Sequence, residues 1–162
     1  MKKVTRRDFH RRVSAAAGCF VGGGLCLQAR SAEPPAEGYI DMHTHLGQTW
    51  NSGEVLTAEA LLGWMDAHSI AQAVVLPLIS PEASSYPLTS DFVLGQTKPY
   101  RDRLIPFCSI DPRTSYKGGH AGLVEMLTIY KEAGAKGCGE HKPGVAFDDP
   151  RNMAIFAACG EV

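Results

Sequence analysis

Short apolar runs bounded by turn residues alternate along the chain with amphipathic stretches, which predicts an α/β protein made of parallel βα units. The runs begin near Tyr39, Ala73, Leu104 and Ala135, a repeat of about 31 to 34 residues, the length of one βα unit. Residues suited to metal chemistry collect where the first and fourth runs end. A (β/α)8 TIM barrel of about 250 residues needs this spacing eight times. The expectation is therefore a (β/α)8 barrel of which about the first four βα units are present, over residues 39–162.

The elements follow in order. A first strand is predicted over residues 39–45 and a helix over 57–66, where Thr57 is placed to cap the free N–H groups and Ala60, Leu61, Trp64 and Met65 form the apolar stripe. The β-branched run 73–78 predicts the second strand, and a helix over 91–100 leads to a third strand over 104–110. A helix from about 121 to 133 leads to a fourth strand over 135–140. Asp149 before Pro150 then opens a last helix, the aspartate as cap and the proline at the first position, where its missing N–H costs nothing.

The most telling segment is Asp41-Met42-His43-Thr44-His45. On a strand, side chains two apart share a face, so His43 and His45 can grip one ion. Two neutral imidazoles suit a divalent metal, zinc above all, which turns water into a nucleophile near neutral pH. In a parallel barrel such sites gather at the C-terminal ends of the strands. The fourth strand ends Gly139-Glu140-His141-Lys142, and a carboxylate buried there calls for a cation, so Glu140 is the next candidate ligand. Lys142 and Arg113 are candidates for binding an anionic substrate, Lys142 alternatively for orienting Glu140. His141 has the opposite parity and reads as structural, as do His68 near a helix C-terminus and His120.

Before these units, Lys2, Lys3, Arg6, Arg7, Arg11 and Arg12 precede an apolar stretch of small residues from 13 to 27. The stretch is short for a membrane span of about 20 residues, and the paired arginines resemble a twin-arginine export signal. Residues 1–31 are expected to be that signal and 32–38 a linker, so the protein is expected to use the twin-arginine machinery and to work in the periplasm or outside the cell. Cys108, Cys138 and Cys159 would remain, an odd and widely spaced set that implies no disulfide framework. With 44% hydrophobic residues, 20% charged and a formal net charge of -1, nothing points to nucleic acid, and a small-molecule substrate is expected.

Three stretches resemble a known family: Tyr39-Ile-Asp-Met-His-Thr-His-Leu-Gly, Trp64-Met-Asp-Ala-His-Ser-Ile-Ala-Gln-Ala-Val-Val-Leu-Pro and Arg103-Leu-Ile-Pro-Phe-Cys-Ser-Ile-Asp-Pro-Arg. They are similar to the front half of the amidohydrolase-related metal-dependent hydrolases, in the branch that includes decarboxylases. The resemblance implies a barrel with one or two divalent metal ions, hydrolysing amides, esters or lactones or decarboxylating aromatic acids. It matches His43 and His45 to first-strand ligands and sets Glu140 near a fourth-strand position that carries a bridging acid or a modified lysine in some branches. The family's later histidines and its proton-shuttling aspartate have no counterpart here, so no general base can be assigned. The 162 residues alone are expected to show little or no hydrolase activity and either to fold poorly or to pair with another half or copy. The alternative is a non-catalytic half barrel that binds metal or a partner.

Overall fold

Three short strands, β1 (Tyr39–Thr44), β2 (Ile70–Val75) and β3 (Leu104–Pro106), form a sheet in sequence order, every neighbouring pair parallel. Parallel neighbours require crossovers, and helices α1 (Ala58–Ala67) and α2 (Ser90–Thr97) provide them. Two further helices, α3 (Gly119–Ala133) and α4 (Pro150–Glu161), follow β3. The computed structural model describes residues 38–80, 86–114 and 118–162. The expected export signal over 1–31 lies outside the described residues, as does the expected linker apart from Gly38.

Local chemistry sets the helix starts. Thr57 Oγ1 accepts from the Ala60 N–H at 3.2 Å and Thr89 Oγ1 from the Phe92 N–H at 3.1 Å. Asp149 accepts from the Arg151 N–H at 2.9 Å ahead of Pro150, the arrangement read from the sequence. Helix α2 gives way at residue 98 to a 3-10 turn, Lys98–Tyr100, where Pro99 has no N–H to continue the α pattern. Helix α3 ends at Gly134, whose φ of +112° a side chain would resist, and Arg101 reaches across to donate to the Ala133 and Gly134 carbonyls.

Three expectations are corrected. The second strand runs over 70–75, not 73–78, because Pro77 cannot donate to a ladder and Leu78 pairs instead with Leu88 in an isolated antiparallel bridge. Residues 135–140 do not form a regular fourth strand, and β3 stops at Pro106 instead of reaching 110. The segment still lies alongside β3 and its continuation. Lys136 donates to the Pro106 carbonyl, Cys108 to Gly137 and Gly139 to Cys108, with Cys108 opposite Cys138 in a single parallel bridge. Two glycines, Gly137 and Gly139, flank that bridge and weaken the extended backbone around it.

The core lies between sheet and helices. Leu61, Leu62 and Met65 of α1 pack with Ala73 and Val75 of β2, Val93 of α2 and Leu104 of β3. A second cluster joins Leu123 and Leu127 of α3 to Ile155 and Ala158 of α4 over Cys108 and Ile110. Each large side chain so buried contributes about 1.5 to 3 kcal/mol. Strand β1 is an edge of the sheet and exposes Tyr39, Ile40 and Met42.

Arg103, immediately before β3, is fully buried. Its guanidinium donates to Asp66 Oδ1 at 2.7 Å, to the Ala71 carbonyl at 2.7 Å and to the Ile70 carbonyl at 3.1 Å. These bonds tie the end of α1 and the start of β2 to the start of β3. Arg103→Met is expected to lower the unfolding free energy by about 3 to 5 kcal/mol, because it strands Asp66 and two carbonyls. Asp66→Asn should cost less, since that carboxylate is partly exposed. Urea unfolding followed by circular dichroism measures both, and a loss under about 1 kcal/mol for Arg103→Met would count against this role.

Candidate metal centre

His43 stands near the end of β1 and His45 one residue past it, where the chain turns at Gly47. The register shows how the two come together. Asp41 pairs with Ala73 and Thr44 with Val75, so three residues of β1 advance against two of β2 and the strand carries a bulge. Asp41 Oδ1 accepts the His43 N–H at 3.0 Å. Beyond the bulge, Thr44 Oγ1 donates to the Val74 carbonyl at 2.7 Å and the Leu76 N–H to the Thr44 carbonyl at 2.9 Å, fixing the strand end against β2. Gly47, at φ +80°, pairs with Leu56, and a side chain there would meet Leu88 at 2.8 Å.

The rings of His43 and His45 meet edge to face, centroids 5.1 Å apart, with their Nε2 atoms 3.2 Å from each other. Glu140 Oε2 lies 3.1 Å from both Nε2 atoms. Among the described residues this is the one cluster of three or more histidine, cysteine or acidic ligand atoms within reach of a single ion. His45 and Glu140 are mostly buried, whereas the His43 side chain is 59% exposed, which leaves one side of the cluster open.

Hydrogen bonding decides what these atoms offer. A carbonyl only accepts, so the 2.9 Å bond from His45 Nδ1 to the Leu76 carbonyl puts the hydrogen on Nδ1 and leaves Nε2 a lone pair. That lone pair and a carboxylate oxygen then face each other at 3.1 Å, a repulsive contact unless a cation or a proton stands between them. Ligand atoms about 2.0 to 2.2 Å from an ion stand about 3.3 to 3.6 Å apart on a tetrahedron and about 2.8 to 3.1 Å apart on an octahedron. The observed spacings fall between, so the residues fit a divalent ion.

Lys142 Nζ sits 3.1 Å from the other oxygen, Glu140 Oε1. Burial pushes the Glu140 pKa up and is the largest single influence, but the hydrogen bond and charge of Lys142, with His43 and His45, outweigh it. The carboxyl is held below its usual range. Its backbone is anchored as well: Ser109 Oγ donates to the Glu140 carbonyl at 3.2 Å, and Ser109 in turn exchanges hydrogen bonds with buried Ser90 at the start of α2. Neither serine stood out in the sequence. Only the fold, by crossing α2 over this edge, shows their use.

The other expected positions separate. Arg113 is held by Asp111, with Nη2–Oδ2 at 2.6 Å and Nε–Oδ1 at 3.0 Å. His141 turns away and bonds Asn152 at 2.9 Å beside Phe156, His68 stacks on Trp64, and His120 pairs with Glu161. Cys138 is pushed up to about 12, first by its hydrogen bond with Cys108, and Cys159 is also raised, first by its hydrogen bond with Cys138, so both stand as thiols at neutral pH.

No family model matches the chain, and no curated protein matches it. Solved structures do match. A probable 2-pyrone-4,6-dicarboxylic acid hydrolase from Acinetobacter baumannii, with citric acid bound, aligns at 16% identity and a TM-score of 0.53, over 77% of this chain and 46% of that one. An uncharacterized TIM-barrel protein from Bordetella bronchiseptica aligns at 16% identity and 0.54, over 77% and 52%. A 5-carboxyvanillate decarboxylase from Novosphingobium aromaticivorans, with bound manganese, aligns at 17% identity and 0.53, over 78% and 49%. The fold of this chain thus resembles part of these TIM-barrel proteins, and the chain spans about half their length.

The Arg113 hydrogen bonds, followed by burial acting in the opposite direction, bring the Asp111 pKa down to about 2 from an ordinary 3.8. A carboxylate depressed on folding stabilises the fold above its unfolded pKa, and that contribution fades as pH falls from about 4 towards 2. The urea midpoint should decline over this window, and Asp111→Asn should flatten that part of the decline. An unchanged slope in the variant would contradict the pairing.

Proposed function

We propose that this chain carries the first part of the metal centre of an amidohydrolase-type hydrolase, with His43, His45 and Glu140 as ligands to a divalent ion, zinc by the nature of the donors. The observation that carries this reading is the convergence of two imidazole nitrogens and a carboxylate oxygen at 3.1 to 3.2 Å, at the end of a parallel sheet where such folds place their chemistry. An ion held there supplies Lewis acidity, polarising a substrate carbonyl and making water nucleophilic near neutral pH.

The chain's own residues have separable tasks. The Leu76 carbonyl holds His45 in the tautomer that presents Nε2. Lys142 keeps Glu140 ionised and its outer oxygen occupied, so Oε2 is the atom left to bind. The exposed flank of His43 admits a small polar substrate. The general base and further ligands are proposed to come from barrel strands outside this sequence, so the activity belongs to the complete barrel. Export by the twin-arginine route, with function in the periplasm or beyond, is part of the same proposal and rests on the Arg6-Arg7 segment.

A second reading has support of its own: structural neighbours include a 5-carboxyvanillate decarboxylase with manganese and a 2,6-dihydroxybenzoate decarboxylase from Rhizobium. Decarboxylation of an aromatic acid would use the same ligands and a divalent ion such as manganese. Assaying the complete barrel for lactone or ester hydrolysis against release of carbon dioxide from aromatic acids separates the two.

The ligand assignment has its own test. After dialysis the wild-type chain is expected to retain divalent metal by elemental analysis, and the His43→Ala, His45→Ala double variant to lose it. Lys142→Met, which frees the outer Glu140 oxygen, should weaken metal binding by about 10- to 100-fold without unfolding the chain. Metal content unchanged in the double variant would end the proposal.

A further inference from the structure

Helix α4 buries one polar side chain. Its buried residues are Asn152, Ile155 and Ala158, spaced so that they share one face, and Asn152 is only 2% exposed. An amide taken from water into such a face costs free energy unless both its ends find partners. Asn152 finds two, and both belong to the segment that follows Glu140. Its Nδ2 donates to the Ala146 carbonyl at 2.8 Å, and its Oδ1 lies 2.9 Å from His141 Nε2. A carbonyl only accepts, which fixes the orientation of the amide and turns Oδ1 to the ring, so His141 carries a hydrogen on Nε2 and donates it.

We propose that Asn152 is a positioning residue for Glu140, acting through His141; the proposal rests on the reading of His43, His45 and Glu140 as metal ligands. Residues 140–142 belong to no helix or strand, so no ladder sets which way their side chains face. Side-chain bonds do so instead. Ser109 Oγ holds the Glu140 carbonyl at 3.2 Å, and Asn152 holds the next side chain along. With His141 drawn to α4, the Glu140 carboxylate faces the two histidines and meets Lys142 on its other oxygen.

The bond to Ala146 brings the far end of the same loop onto the same amide. Phe156, one turn further along α4, meets the His141 ring at a centroid distance of 5.3 Å. Ile155 and Ala158 pack the helix against Leu123 and Leu127 of α3, so the amide stands on a fixed element. One buried side chain thus fastens both ends of the loop that begins beside the candidate ligand.

The test uses the full chain and three variants. Asn152→Ala removes both bonds, His141→Phe keeps a ring against Phe156 but no donor, and His141→Gln restores an N–H donor where Nε2 stood. In metal-free protein a nuclear Overhauser contact between the Glu140 Hγ protons and the His45 ring is expected in the wild type and in His141→Gln, and its loss in the other two. Long-range proton–nitrogen spectra should show His141 held as the Nε2–H tautomer in the wild type and released from it in Asn152→Ala. Zinc affinity, measured by chelator competition, should fall about 10-fold or more in Asn152→Ala and His141→Phe and stay close to wild type in His141→Gln. Should Asn152→Ala not fold, the two His141 variants decide. A lowered urea midpoint with zinc affinity and the Overhauser contact both unchanged would mean a purely structural role and overturn the proposal, as would equal loss of affinity in His141→Gln and His141→Phe. A wild type that binds no zinc would end the metal reading alone, since the Overhauser contact is measured without metal and still decides the positioning of Glu140.

Discussion

The fold hangs on a cation with no access to water. Arg103 would be intolerable in an apolar interior unless its guanidinium met acceptors, and Asp66, Ile70 and Ala71 are among those it meets. Because those acceptors sit on the end of α1 and the start of β2, satisfying the charge also sets where β3 begins against β2. The pairing of Ala73 with Leu104 and Val75 with Pro106 follows from that register. One end of the sheet is thereby committed to stability, which frees the other for chemistry.

At that other end the same electrostatic problem appears with the opposite sign. Glu140 is a mostly buried carboxylate, and it is met by Lys142 on one oxygen and by two histidine nitrogens on the other. Lys142 satisfies charge but leaves Oε2 facing the His45 lone pair, so the arrangement calls for a cation or a proton among the three. Helix α2 takes part without touching the trio: its Ser90 holds Ser109, which holds the Glu140 backbone. The candidate ligand from the far side of the chain therefore stands on the crossover between β2 and β3, and the site is built by the sheet as a whole.

Much of this was legible in the residues. The alternation of units, the Thr57 and Asp149 caps and the pairing of His43 with His45 are local facts, fixed by spacing and by side-chain chemistry within a few positions. Strand limits were less so. Pro77 and the glycines around Cys138 shortened or broke runs that hydrophobicity alone extends, because a missing N–H or a weakened extended backbone costs ladder bonds however apolar the neighbours are. The parity argument puts His43 and His45 on one face, and their rings do meet although β1 is bulged between Asp41 and Thr44, a distortion that follows from pairing with β2.

By itself the sequence determined the α/β class and singled out the two candidate histidines and the candidate carboxylate, since each depends on periodicity or on the kind of ligand atom a side chain carries. Only the tertiary structure decided that Glu140 stands beside His43 across 97 positions of chain, that Arg113 is held by Asp111, and that His141 meets a buried amide of α4. The reason is physical. Which distant atoms become neighbours is set by strand register and helix packing, and those are settled by the summed burial and hydrogen bonding of the whole chain, not by any short stretch of it.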